Sequence, residues 1–422
     1  MMLKVAILGL GNRGINYGTL LLGREDAVIT AICDLDAERV EIAKEKFKNP
    51  SVRTFASADE LFAQGKIADA IFICTQDRDH YGHTMQALEL GYHVMVEKPV
   101  SPNPQHCLDI EKKAKEKNLK VIVCHVLRYS AFYRKIKAVV DSGALGNIVA
   151  VRHSENVAYW HFIHSYVRGL WRREDETSPL LMAKCCHDMD LLYWILGSRC
   201  ESLSSYGDLV FFNEKNAPEY STLYCEDCPK RGECPYDAYL QYLGRGDHPA
   251  PKFPWGTYPV ANVGTKERLE AALHKGQYGR CVWHSDNTVN DYQLVQMAFE
   301  NGVHVQFSVE AFSNENYRKT HIFGAKGELY SNDLDETITV QLFGKEKEVI
   351  DMSLNHQDAY GGGHVGGDLG LVNDAVDYLL GNKVEEGNLT LIRDTYESHK
   401  IVAAAEESRK NGGKTVKVHE AK

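Results

Sequence analysis

The chain has 422 residues, 44% hydrophobic and 25% charged, with a formal net charge of −10 at pH 7. This length calls for two domains rather than one core, and the negative balance argues against unspecific binding to DNA or anionic lipid. The only apolar run near the N-terminus, Val5 to Leu8, meets Gly9 and Gly11 at once, so neither a signal peptide nor a membrane span is expected.

From Leu3 to about Val126, short β-branched runs alternate with amphipathic stretches. KVAILGL, VITAICD, ADAIFICT, YHVMVEK and KVIVCHV read as strands. Between them AERVEIAKEKF, HYGHTMQALELG and PQHCLDIEKKAKEKN read as helices, with Gly91 and Asn118 as stops. The alternation predicts an α/β fold over residues 1–126, a parallel sheet with crossover helices. After Val126 the rhythm changes. One helix from roughly Ala131 to Asp141, strands beginning near Asn147, a loop-rich insertion from about Phe211 to Lys266, the strands HVQFSVEAF and ITVQLFG, a glycine-rich segment and two closing helices predict an α+β domain over residues 127–422. The expected setting is the cytoplasm, with no nucleic-acid partner and no membrane partner.

GLGNRG, from Gly9 through Leu10, Gly11, Asn12 and Arg13 to Gly14, follows a predicted strand and opens a predicted helix. In that context Gly9 makes the tight turn, Gly11 lets the backbone approach a pyrophosphate, and Gly14 lets helix and strand pack closely. The helix N-terminus adds free N–H groups for the phosphates. Asp34 ends the second strand twenty residues after Gly14. There it can accept hydrogen bonds from a ribose 2′-hydroxyl and repel a 2′-phosphate, which favours NAD over NADP. Arg13 is within reach of a phosphate. Further along, the TQDRDH segment contributes Thr75, Asp77 and His80. Glu97, Lys98 and Pro99 end the fourth main strand, on the sheet edge where ligands of open α/β folds bind.

In WHFIHSYVRGLWRRE, residues 160–174, aromatic rings alternate with His161, His164, Arg168, Arg172 and Arg173. Aromatic faces suit the C–H face of a sugar ring, and cationic donors suit its hydroxyls. His164, Arg168 and Trp171 are therefore candidate contacts to a carbohydrate or polyol. The bland alternative is an interdomain segment packing its aromatics in a core. AKCCHDMDLLYWILG, residues 183–197, reads as a buried helix whose one polar stripe holds Lys184, His187 and Asp188. A polar stripe in an apolar setting must meet partners, water or a ligand. Cys185 and Cys186 lie off that stripe. A Lys184 cation on it would keep the His187 imidazole neutral and able to take a proton; an ordinary Lys184–Asp188 pair is the alternative.

YCEDCPKRGECPYDA, residues 224–238, spaces Cys225, Cys228 and Cys234 as C-x2-C-x5-C, which is able to converge on a zinc ion or an iron–sulfur cluster. Zinc is the expected metal, with free thiols as the alternative, and no fourth ligand stands nearby. GGGHVGGD, residues 361–368, either places His364 near the site or is a tight loop before a helix.

The glycine fingerprint, TQDRDH, VMVEKP and CHDMDLLYWILG stand in this order. With them the chain resembles the Gfo/Idh/MocA oxidoreductases along most of its length. The resemblance implies a Rossmann dinucleotide-binding domain, a C-terminal domain with an open, mainly antiparallel sheet, and a nicotinamide ring near Lys98. It also implies that Lys98 orients a substrate hydroxyl, that His187 is the acid/base, and that the Lys98–Pro99 bond is cis. One departure matters: many members carry an aspartate four residues before the histidine, and Ala183 stands there. The leading expectation is an NAD-dependent dehydrogenase of a sugar, glycoside or polyol, assembled as a homo-oligomer, a dimer or tetramer. A redox-neutral sugar-processing enzyme that uses NAD transiently, and a non-catalytic NAD-dependent sensor, are the rivals.

Overall fold

The apolar runs LKVAIL, AVITAIC, AIFI, HVMV and VIV are buried along almost their whole length, as strands of a sheet covered on both faces must be. A computed structural model describes residues 2–244, 258–353 and 363–419. In it these runs are β1 (Leu3–Leu8), β2 (Ala27–Cys33), β4 (Ala70–Ile73), β5 (His93–Val96) and β6 (Val121–Val123), with a short β3 (Arg53–Phe55) at one edge. The sheet order is β3-β2-β1-β4-β5-β6, every pair parallel, so the strand order reverses between β1 and β4. Ligands of such sheets bind outside the strand ends at that reversal.

The crossovers are α1 (Asn12–Leu21), α2 (Ala37–Lys46), α3 (Ala58–Phe62), α4 (His80–Glu89) and α5 (Gln105–Lys117). Their boundaries follow local chemistry. Asp36 caps α2 by accepting from the Glu38 and Arg39 amides, and Asn118 ends α5 in the left-handed region at φ 54°. A final α6 (Ala131–Asp141) is capped by Ser130.

Among the described residues the second sheet has nine strands: β7 (Ile148–Ala158), β8 (Cys200–Asp208), β9 (Tyr292–Phe299), β10 (His304–Ser313), β11 (Tyr317–Gly324), β12 (Gly327–Asn332), β13 (Thr337–Leu342), β14 (Glu348–Asp351) and β15 (Val416–Lys417). Their order is β14-β13-β12-β11-β7-β10-β9-β8-β15, antiparallel except where β7 lies beside β10. Residues of β10 alternate between buried and exposed, the signature of a sheet with one packed face.

Two compact units interleave along the chain. The first comprises Met1–Ser142, Cys186–Gly197 and Met352–Ala403; the second comprises Gly143–Cys185, Ser198–Asp351 and Ala404–Lys422. The helix expected across 183–197 is therefore two. After α7 (Tyr159–Phe162), α8 (Leu180–Ala183) ends in the second unit, and α9 (Cys186–Leu196) begins where the chain enters the first. Residues 160–174, read as a substrate-contacting stretch, form α7, a π turn over Ile163–Val167 and a 3-10 turn over Leu170–Arg172.

The insertion has more core than its loop-rich sequence suggests. Phe212 stacks on Phe162 at 5.7 Å and on Phe312 at 5.7 Å, and Tyr236 meets Trp283 edge-on at 5.7 Å. Its described parts include α10 (Ala238–Leu243), and α11 (Lys266–Leu273) follows; residues 245–257 lie outside the described residues. The closing helices are α12 (Gly367–Leu380) and α13 (Ile392–Lys410); Gly361 and Gly362 of the glycine-rich segment also lie outside the described residues. Among the described residues no helix is long and apolar enough to cross a membrane.

Candidate active site

β1 delivers the chain into Gly9 at φ +93°, where an added Cβ would stand 2.5 Å from the Cys74 carbonyl oxygen. At Gly14 a Cβ would stand 1.9 Å from the Gly9 oxygen, so both glycines are required by close backbone approach. Gly11 differs: nothing lies within 4 Å of where its Cβ would be. It is the N-cap of α1, no side chain caps that end and no acid sits in the first turn. An open, uncapped helix N-terminus behind a glycine turn fits a dinucleotide pyrophosphate. Asp34 leaves β2 beside this loop, its carboxylate accepting from the Leu10 amide at 2.6 Å and the Asp36 amide at 2.9 Å.

Arg13, expected within reach of a phosphate, is held by side chains of its own unit. Its guanidinium donates to Glu97 at 3.0 Å, to Asp368 at 3.1 and 2.6 Å and to the Tyr17 hydroxyl at 2.6 Å. Tyr17 and the Lys98 amide donate to Glu97 in turn, at 2.6 and 3.0 Å. Burial pushes the Glu97 carboxyl up, but the Arg13 and Lys98 charges and the hydrogen bonds outweigh it and hold its pKa below the ordinary range. Glu97 thus fixes the backbone that carries Lys98. The Lys98–Pro99 peptide is cis. His80 places its two ring nitrogens 2.7 Å from the Pro99 carbonyl and 3.0 Å from the Thr75 carbonyl, tying the turn after β5 to the turn after β4. Asp77 is buried in the second of these turns.

His187 sits in the first turn of α9, 3% exposed, with the His125 ring 5.6 Å away edge-on and the His364 ring 5.7 Å away. Three residues along the same helix, Asp190 takes a bidentate pair from Arg128 at 2.6 and 2.6 Å. This pair pins α9 to the segment after β6 and so sets where His187 stands. His125 is fully buried, with neither ring nitrogen hydrogen-bonded among the described residues; burial, then the Arg128 and Lys98 charges, hold its pKa well below the usual value. His364 lies 3.4 Å from Asp368 at φ 62°, and Val365 follows at φ 51°, a conformation that β-branched residues rarely adopt. Such strain gathers at functional sites. Cys186 is buried and its thiol is pushed up to about 12 by that burial, so it is no thiolate at neutral pH.

The profile of an oxidoreductase family with an NAD-binding Rossmann fold, GFO_IDH_MocA, matches residues 3–125, and that of its C-terminal alpha/beta domain matches residues 137–418. The chain belongs to the Gfo/Idh/MocA oxidoreductase family. YteT of Bacillus subtilis, an oxidoreductase by name, is 26% identical over 372 residues, 82% of this chain and 81% of its own. Inositol 2-dehydrogenase of Corynebacterium glutamicum is 26% identical over 210 residues, covering 48% of this chain and 56% of its own. The solved levoglucosan dehydrogenase, in complex with NADH and levoglucosan, superposes with a TM-score of 0.71 at 16% identity and full coverage of both chains, which is a likeness of fold.

Within this Gfo/Idh/MocA framework, the residues expected at the site from the second unit stand differently. Lys184 does not share a helical stripe with His187, because the helix breaks between them. Its ammonium lies 3.0 Å from Glu155, which Arg318 also holds at 2.5 Å. Arg168 is fully buried and donates to the Arg280 carbonyl, Gln241, the Tyr236 carbonyl and the Cys225 sulfur, so its donors are engaged inside the unit. His164 bonds the Tyr242 hydroxyl at 2.8 Å and stacks on Tyr278; burial, then Arg168, lowers its pKa to about 3. Trp171, like Lys184, keeps partial exposure, and lies 6.5 Å from Tyr166. The zinc expected at Cys225, Cys228 and Cys234 is also corrected: among the described residues no group of three or more His, Cys, Asp or Glu side chains converges on a single metal ion.

Proposed function

We propose that the protein is an NAD-linked dehydrogenase acting on a secondary hydroxyl of a sugar, glycoside or polyol, with Lys98 and His187 at the reacting carbon. One observation carries this reading: the His187 ring stands edge-on to His125, 5.6 Å away, and the charge of Lys98 reaches both His125 and Cys186, the residue before His187. Gly9, Leu10, Gly11, Asn12 and Gly14 would cradle the pyrophosphate, Asp34 would take the adenosine ribose, and Thr75, Asp77, His80 and Glu97 would shape the wall leading to Lys98. When bound, NAD supplies the hydride acceptor.

Oxidation of an alcohol needs a base for the O–H proton and a group that offsets the negative charge growing on that oxygen. His187 takes the proton. The Lys98 ammonium holds the oxygen and balances its charge. The dehydrogenase names among the relatives, inositol 2-dehydrogenase among them, support a polyhydroxylated substrate. A panel of sugars and polyols with NAD, followed by nicotinamide absorbance, tests the reading. Turnover on at least one of them, lost in His187→Ala, is the expected result. NAD binding without turnover across a broad panel would favour the sensor.

A further inference from the structure

Cys225, Cys228, Cys234 and Cys281 line one cavity in the second unit. The first three come from the insertion. Cys281 comes from the segment ahead of β9, which the bridge between Tyr224 and Arg280 and the Cys281 amide on the Leu223 carbonyl at 3.0 Å hold against it. A single zinc ion would draw four thiolates to ~2.3 Å from one centre. The thiols here do not converge in that way; they ring a space.

Burial pushes the Cys234 and Cys281 thiols up, and three contacts to the sulfurs act against it. Arg168, fully buried, donates to the Cys225 sulfur at 3.5 Å, and its other partners are two carbonyls and an amide. Among the described residues no carboxylate pairs with it, although a buried guanidinium without a counter-charge is costly. The backbone N–H groups of Tyr236 and Trp283 donate to the sulfurs of Cys234 and Cys281, each from two residues downstream. Hydrogen bonds to sulfur and burial are the means by which proteins hold and tune iron–sulfur centres. Cys228 and Cys234 are each followed by proline, as ligands of such centres can be.

We propose that these four cysteines hold a [4Fe–4S] cluster, which clamps the insertion to the segment ahead of β9 and supplies the anionic partner of Arg168. Loading is a ligand exchange. Each cysteine thiol releases its proton, its thiolate replaces a thiolate of the donor on iron, and the displaced thiolate takes up the proton, so no electrons move. The inference is independent of the hydride-transfer reading.

The test is iron and acid-labile sulfide analysis of the full chain, purified without oxygen and then treated with a [4Fe–4S] cluster ligated by a small thiol. About four irons and four sulfides per chain are expected, with broad visible absorption. Cys228→Ser and Cys281→Ser should lose both, while Cys200→Ser, outside the cavity, should keep them. Cys228 is partly exposed, so its serine variant tests ligation with little risk to folding, which circular dichroism checks. Zinc alone, two irons with two sulfides, no iron after transfer, or iron retained by both ligand variants would each overturn the proposal.

Discussion

Arg128 and Arg168 are both fully buried, one in each unit, and they are compensated in opposite ways. Arg128, 2% exposed, meets the two oxygens of Asp190 in a bidentate pair. Arg168, 0% exposed, meets carbonyls, an amide and a thiol. The first is a closed ion pair that holds the His187 helix in place. The second is a cation whose protein partners are neutral, which is why the cysteines around it are read as thiolates of a cluster. A buried charge thus reports whether its site is complete within the chain.

The sharpest way to break this comparison is to remove each arginine. Arg128→Met leaves the buried Asp190 carboxyl without this partner, and should cost about 3–5 kcal/mol in urea unfolding; Arg128→Met with Asp190→Leu should recover most of it. Arg168→Met strands no carboxylate. In cluster-free protein it should cost clearly less than Arg128→Met, the loss being that of hydrogen bonds to neutral acceptors, and in loaded protein it should cost more. Equal, large losses from both single variants in cluster-free protein would show that Arg168 has an anionic partner within the chain.

Next in size is the chemistry that the Arg128 pair positions. His187→Ala should lower turnover by about 100-fold or more with the fold intact, and Lys98→Ala should do likewise. Cys185→Ala should keep most activity, since that cysteine is a buried thiol behaving as a small hydrophobe. Full activity in His187→Ala, or inactivity in a folded Cys185→Ala, would move the reacting centre elsewhere.

The two units agree in their sensitivity to acid. Burial keeps His399 in the first and His164 in the second neutral, each with its pKa lowered to about 3. His399 uses a ring nitrogen to accept from the Val100 amide at 3.1 Å. Between pH ~6.5 and that value the unfolded chain binds a proton at each imidazole that the folded chain refuses. Stability should therefore fall as pH drops through this window, by about 1.4 kcal/mol per pH unit for each histidine. His164→Phe should remove the second unit's share of this slope. An unchanged slope in that variant would mean that His164 is already protonated when folded.

What could be read from the residues divides along the same lines. The βαβ rhythm, the glycine turn and the placing of Lys98 depend on local signals, and these are where expectation and structure meet. The break between Ala183 and Cys186 carries no such signal, because Ala, Lys and Cys all tolerate a helix; the chain turns there as it passes from one unit to the other. Asp190 was legible only as one more acid near His187, since its partner Arg128 lies in a different segment. Cys281 was missed for the same reason: nothing in C-x2-C-x5-C points to a thiol so far downstream. Pairings that join distant segments escape a reading built on spacing.

The smallest expected effect tests the part of the first unit that was most legible. Asp34 already accepts two backbone amides, so its carboxylate is held beside the glycine loop before any ligand arrives. A 2′-phosphate there would meet a fixed negative charge. The nearby cation, Arg13, is engaged by Glu97 and Asp368 and has no reason to turn toward it. NAD should therefore bind more tightly than NADP, and Asp34→Ser should narrow the gap by about tenfold, roughly 1.4 kcal/mol of repulsion removed. Titration of both dinucleotides against the two proteins measures this. Tighter binding of NADP to the unmodified protein would show that a cation other than Arg13 serves the ribose, and would withdraw Asp34 from the cofactor site.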